Sequence, residues 1–243
     1  LKEYNVNEFF LFPIADIAGA FWDSALPGKI IVIILFLGSA AAWTIMWTKS
    51  VQLKTASSST NLFLADFRKN KNLASLMKNI GKHHNTPLAN IFKSGYSTAL
   101  EIKSESLSDF ENNNIGFTSS QLESIRAAVD CSVADQALEL EDQMGLLATA
   151  VSAAPFLGLL GTVWGVMDAF SGMADSGSAA LSAVAPGISG ALLTTIIGLI
   201  VALPSMIGYN LLSSKIRYIA VQMDNFSQEF VSKISNENNF WED

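Results

Sequence analysis

From Ser176 to Ser214 the chain runs for 39 residues without one Asp, Glu, Lys, Arg or His. A helix that is apolar on every side has to be buried in protein or in lipid. Two further runs, residues 30–48 and 143–167, are also free of charge. About 20 apolar residues of helix cross the hydrocarbon core of a bilayer, so each run is long enough to span one. We place the three transmembrane helices at residues 29–49, 143–170 and 188–212. The composition agrees, with 50% hydrophobic and only 15% charged residues, which is too greasy for an ordinary soluble domain. The expected class is therefore all-α, a polytopic membrane protein embedded in the lipid bilayer.

The stretch FFLFPIADIAGAFW, residues 9–22, is interrupted by Asp16 and reads as an interfacial helix rather than a fourth span. Its flanking acids, Glu8 and Asp16, and its short apolar run argue against a secretory leader. Of the 15 Lys and Arg, ten lie from Lys49 to Arg126, three follow the third span, and none lies between Asp168 and Gly187. Basic residues stay on the cytoplasmic side, which predicts a chain with its N-terminus outside and its C-terminus inside, in the cytoplasm. Trp22, Trp43 and Trp47 fit interfacial aromatic belts. The net charge of −7 holds no basic concentration, so nucleic acid is not an expected partner. Cys131 is the single cysteine, and the adjacent His83 and His84 point apart on any helix, so no metal site is expected.

Outside the spans the apolar pattern stays helical. Ile216, Ile219, Met223, Phe226, Phe230 and Ile234 recur at steps of three and four after the third span, one stripe on a continuing helix. Before the second span, Ser120 and Glu123 have the spacing of a capping box, followed by Leu122, Ile125, Val129, Val133, Gln136 and Leu140 at the same period. The second helix is thus expected to run from Ser120 to about Phe170, on the order of 75 Å. Thr86 and Pro87 read as N-cap and first helical position, and ENNNIGFT, residues 111–118, as a loop. The resulting plan is a periplasmic segment (1–28), a cytoplasmic helical region (50–142), a periplasmic connection (171–187) and a cytoplasmic C-terminal helix and tail (213–243). The second and third spans extend into a cytoplasmic helical collar.

The second span carries Gly158, Gly161 and Gly165, and the third Gly187, Gly190 and Gly198. Small residues let helix backbones approach in lipid, where hydrophobicity alone does not drive helices together. Packing within the chain and packing between subunits both remain open, with the second expected slightly more often. Pro155 and Pro204 interrupt the two spans as kinks, and each frees a backbone carbonyl. Thr162 and Thr195 fall roughly 9 Å and 8 Å to the outer side of their spans' midpoints, counted at 1.5 Å per residue. On the inner half, Thr149 and Ser152 are mirrored by Ser205. A hydroxyl donates and accepts at once, so a row of them can order water or pass a proton without bearing charge. No Asp, Glu, Lys, Arg or His lies inside any of the three charge-free runs, although such groups are the usual carriers in pumps; Asp168 stands at the outer end of the second.

GLLGTVWGVMDAF followed by VAPGISGALLTTIIGLIVALPSMIGYN (residues 158–170 and 184–210) resembles the MotA/TolQ/ExbB proton-channel family. The G-T-V-W-G run, the later Tyr209-Asn210 and the Asp224, Asn225, Phe226, Glu229, Phe230 segment are most similar to its TolQ branch. The resemblance implies a homo-pentamer whose second and third spans line a pore. That pore would hold a TolR-like or ExbD-like single-span dimer, whose aspartate carries the proton, with a TolA-like or TonB-like protein outside the ring. It maps the family's pore threonines onto Thr162 and Thr195, with Thr194 beside them where relatives often have alanine. Gly190 stands where many relatives have glutamate. No cofactor is implied beyond the transported proton.

The expected function is then a stator subunit that turns proton motive force into mechanical work on the cell envelope. Two alternatives stand beside it: an ExbB-type subunit energising outer-membrane uptake, and a scaffold that does not conduct. Enzymatic chemistry is not expected, since no clustered His, Cys or carboxylates face a pocket.

Overall fold

The computed structural model describes residues 19–22, 24–70, 72–83, 86–108, 116–176 and 181–236. Its elements in chain order are α1 (Leu26–Lys69), α2 (Leu73–Lys78), a 3-10 turn (Ile80–His83), α3 (Pro87–Ser108), α4 (Ser119–Glu141), α5 (Met144–Ser176) and α6 (Leu181–Asn236). No strand occurs among the described residues. Three of these helices, α1, α5 and α6, are long and apolar enough to cross a membrane. Residues 19–22 are helical, but the rest of the expected interfacial helix lies outside the described residues, as does most of the 111–118 loop.

Several boundaries differ from expectation. The helix expected from Ser120 to Phe170 is two helices, parted at Asp142 and Gln143. Gln143 has φ 63°, the left-handed conformation that ends a helix. The unbroken helices that outrun their spans are accordingly the first and third rather than the second and third. The capping box closes on Thr118 and Gln121, not on Ser120 and Glu123: the Gln121 N–H donates to Thr118 Oγ1, and the Thr118 N–H to Gln121 Oε1. Pro87 does open α3, but the buried Thr86 hydroxyl has no hydrogen-bond partner among the described residues. It is the Thr86 carbonyl that accepts from Ala89 and Asn90. Within the connection expected at 171–187, α5 continues to Ser176 and α6 begins at Leu181.

The chain forms two compact units, and α1 and α6 contribute residues to both. One comprises Thr48–Asp142 and Leu211–Asp243. Its core is aromatic: Phe63 and Phe67 of α1, Phe92 of α3, and Phe226 and Phe230 of α6 are fully buried. The rings meet edge to face, Phe67 against Phe226 at 4.9 Å and Phe92 against Phe230 at 5.6 Å between centroids, the arrangement their quadrupoles favour. All six residues of the stripe from Ile216 to Ile234 are buried. In α1, Leu53, Ala56, Thr60, Phe63 and Phe67 are buried at steps of three and four, which carries that helix across its serine-rich middle. Gly95 sits where an added Cβ would meet Val129 and Phe230, so α3 lies flush on its neighbours.

Basic side chains close two helix ends in this unit. Lys233 donates to the carbonyls of Phe67 at 2.9 Å and Asn70 at 2.5 Å, at the C-terminus of α1. Lys49, only 4% exposed, donates to the carbonyls of Glu139 and Leu140 at the end of α4, both at 3.3 Å. Cations suit the negative ends of helix dipoles. Arg68 grips Glu229 through two nitrogens, with contacts of 2.8 and 3.0 Å. That hydrogen bond first, and the carboxylate's charge second, raise the guanidinium pKa above its ordinary value.

The other unit comprises Leu1–Trp47 and Gln143–Asn210 and contains the membrane-crossing stretches. Its buried cluster is Ile31 and Leu35 of α1, Ala154 of α5, and Val201 and Ala202 of α6. Large apolar side chains such as Phe36, Phe156 and Ile200 are exposed on its outside, as befits a surface that faces hydrocarbon rather than water. Pro155 and Pro204 both lie inside helices that continue through them.

Candidate functional site: a threonine cluster between two membrane helices

Gly158, Gly161 and Gly165 of α5 face α6 of the same chain. A Cβ on Gly158 would stand 2.9 Å from the Thr194 carbonyl and 3.0 Å from Thr195 Cα; one on Gly165 would stand 2.7 Å from Ala191 Cβ. From the α6 side, a Cβ on Gly198 would lie 2.6 Å from the Ala154 carbonyl, and one on Gly187 would lie 2.9 Å from Ala169 Cβ. Position 165 thus meets 191 while 154 meets 198, so the two helices run antiparallel. The packing faces of these residues are filled by their own chain, which corrects the expectation that favoured contact between subunits. The sixth glycine, Gly190, faces elsewhere: its Cβ would sit 2.7 Å from Ser24 Cβ and 3.0 Å from the Ala20 carbonyl. In this packing no carboxylate side chain fits at position 190.

Close approach has a chemical consequence. Without a side chain at 158, the Gly158 carbonyl is open to α6, and hydroxyls from both helices gather on it. Thr162 reaches it at 3.1 Å, Thr195 at 3.1 Å and Thr194 at 3.0 Å. Thr162 and Thr195 are also hydrogen-bonded to each other through their hydroxyls. A second carbonyl, that of Ala191, accepts from Thr194 at 2.7 Å and lies 3.4 Å from the Thr162 hydroxyl. Thr162 and Thr195 are half-buried, whereas Thr194 is 1% exposed.

Thr149, Ser152 and Ser205 do not join this cluster. Thr149 donates to Gly145, Ser152 to Ala148 and Ser205 to Val201, each four residues back on its own helix. Ser205 is buried, while Thr149 and Ser152 are exposed. Thr194 is the residue whose part sequence reasoning missed. Its signal was the facing spacing, since the GxxG step from Gly158 to Gly161 leaves a notch that a helix neighbour has to fill. Beside the cluster a cavity of about 100 Å³ is bordered by Ser24, Gly28, Gly161, Asp168, Gly190 and Ala191, with room for a few waters. Among the described residues no three or more His, Cys, Asp or Glu are grouped to hold a metal.

What the arrangement supplies is a patch of paired hydroxyls and main-chain carbonyls in an uncharged, small-residue wall. Such a patch can solvate a proton carrier but cannot be one, because none of its groups titrates in the physiological range. The fold and site together define a multi-pass membrane protein whose spans hold a polar, uncharged cluster.

The particular family follows from sequence comparison. The profile of the MotA/TolQ/ExbB proton channel family matches residues 83–225, and the chain belongs to that family. Membership and the three apolar helices make it a multi-pass protein of the inner membrane. The Tol-Pal system protein TolQ of Pseudomonas aeruginosa is 27% identical over 210 residues, 86% of this chain and 87% of its own length. TolQ of Haemophilus influenzae is 28% identical over 214 residues, covering 87% and 90% of the two chains. The biopolymer transport protein ExbB of Pseudomonas putida is 30% identical over 217 residues, covering 89% of this chain and 63% of that one.

Proposed function

We propose that this chain is a TolQ-like stator subunit of a proton-driven motor. Several copies, five by family resemblance, surround the membrane helices of a TolR-like dimer and drive a TolA-like protein that works on the cell envelope. The division at residues 50, 143, 171, 188 and 213 then separates cytoplasmic from periplasmic parts. The excess of Lys and Arg between the first and second spans puts that region in the cytoplasm and the N-terminus in the periplasm. Coverage of nearly the full length of two TolQ proteins, against partial coverage of ExbB, supports a Tol-type client over nutrient uptake.

The single observation that carries the mechanism is the shared hydrogen bonding of Thr162 and Thr195 in a wall without fixed charge. A proton crossing the membrane releases about 2.3 kcal/mol per 100 mV. Using that energy requires a carboxylate that is alternately exposed and sealed. A fixed counter-ion would hold the partner's aspartate at one position, whereas neutral hydroxyls hydrate it and let it pass. Thr149, Ser152 and Ser205 extend the polar path toward the cytoplasm.

The test is proton flux into vesicles containing this chain with its single-span partner. Thr162→Val is expected to lower flux by at least about tenfold with assembly intact, the effect of losing a hydrogen bond to a charged group. Replacing the partner's aspartate by asparagine is expected to abolish flux. Full flux in both variants would overturn this proton path, and absence of flux in the parent complex would leave a non-conducting scaffold as the better description.

A further inference from the structure

The hydroxyl hydrogens of the three threonines can be placed on the cluster's acceptors in more than one order. Each of Thr162, Thr194 and Thr195 has one O–H to donate. The Thr162–Thr195 bond consumes one of them, and either residue can be its donor. Two remain: the free hydroxyl hydrogen of that pair, and that of Thr194. The acceptors are the carbonyls of Gly158 and Ala191, each with two lone pairs, one of which is committed to its own helix ladder. Each carbonyl therefore has one place for a hydroxyl.

Two orders satisfy this count differently. In the first, Thr194 donates to Ala191 at 2.7 Å, and the pair's free hydroxyl donates to Gly158 at 3.1 Å from either threonine. All hydrogens are then used inside the chain. In the second, Thr194 turns to Gly158 at 3.0 Å. The pair loses that acceptor, and only Thr162 has another within reach, Ala191 at 3.4 Å. When Thr162 is the donor within the pair, the free O–H is that of Thr195, whose carbonyl acceptor Gly158 is now taken, and it is released to an acceptor outside the chain. The distances separating the two orders are small, and Thr194 sets which carbonyl is left to the pair. Its rotation needs no movement of backbone.

The surroundings hold Thr194 to this task. It is buried at 1% exposure. Gly161 gives it space, for a Cβ there would run into Thr194 Cβ and Cγ2, and Gly28 of α1 lies against its methyl side. A hydroxyl so enclosed has the Gly158 and Ala191 carbonyls as its acceptors within the chain.

We propose that Thr194 is a positioning residue: by alternating between the Ala191 and Gly158 carbonyls, it decides whether the Thr162–Thr195 pair keeps its free hydrogen inside the chain or offers it to the passing carboxylate. The inference rests on the pair acting as the carboxylate's solvating group, as proposed above.

The experiment measures proton flux in vesicles containing the full chain and its single-span partner. The variants are Thr194→Val, which keeps shape and loses the hydroxyl; Thr194→Ser, which keeps the hydroxyl and loses the methyl; and Thr162→Val as reference. Thr194→Val is expected to reduce flux about tenfold while pull-down of the partner is unchanged, and Thr194→Ser to stay within about twofold of the parent. Parental flux in Thr194→Val overturns the inference, and so does an equal loss in Val and Ser, which would mark a packing role. If Thr162→Val also conducts normally, the underlying reading of the pair fails with it. Loss in Thr162→Val with normal flux in Thr194→Val removes the positioning role alone.

Discussion

The ammonium of Lys49 donates to the carbonyl of Leu140, 91 residues further along the chain. A lysine side chain from α1 thereby closes the last turn of α4, whose carbonyls have no partners within their own helix. Lys49→Met keeps the apolar stem and removes the donor. It is expected to lower stability by about 1–2 kcal/mol, seen as a fall of roughly 2–4 °C per kcal/mol in the thermal midpoint of the detergent-solubilised chain. An unchanged midpoint would mean that water caps the helix equally well.

The residue just beyond that end, Gln143, holds φ 63°, where a Cβ crowds the backbone. Gln143→Gly is expected to leave the thermal midpoint unchanged or raise it. Gln143→Val, branched at Cβ, is expected to cost about 1–3 kcal/mol. Equal midpoints for the two variants would show that the turn rearranges at no cost.

Much of this fold is legible from residue order alone. Three runs without charge announce the spans, and Phe226, Phe230 and their neighbours announce one face of α6 by their spacing. The break at Asp142 and Gln143 is not legible, because its causes are not local. No proline or glycine marks the position, Gly145 two residues on is helical, and the cap is a lysine from another helix. The shift of the capping box has the opposite origin, an excess of local signals: Thr118 with Gln121 and Ser120 with Glu123 offer the same spacing, and only one pair can close. In the site, depth counting brought Thr162 and Thr195 together because antiparallel helices preserve depth. It could not reveal Thr194 as the third member, which depends on how the helices are turned about their axes.

Glycines on α5 separate packing from mere composition. A Cβ added at Gly145 would stand in open space, whereas one at Gly158 would meet the backbone of α6 at 2.9 and 3.0 Å. Gly145→Ala is expected to be neutral or stabilising by up to about 1 kcal/mol through helix propensity. Gly158→Ala is expected to cost about 1–3 kcal/mol, as overpacking does. Comparing the two midpoints checks this with the same chemical change in the same helix.

Phe226 touches both Phe63 and Phe67, with ring centroids 5.7 and 4.9 Å away. Phe226→Ala is expected to cost about 3–5 kcal/mol and to expose α6 to proteolysis around Met223 and Phe230. Arg68→Ala, which removes an exposed ion pair with Glu229, is expected to cost under about 1 kcal/mol and to lose even that in high salt. A larger loss for Arg68 than for Phe226 would reverse the ranking of burial over surface charge in this unit.

The oxygen on which Thr162, Thr194 and Thr195 converge belongs to the main chain of Gly158. No codon change can delete it. A saturation mutagenesis scan would score position 158 for bulk alone, and the hub of the cluster would stay invisible to genetics. Exchanging the amide for an ester between residues 158 and 159, which weakens this carbonyl as an acceptor while leaving every side chain in place, is the chemical route to it.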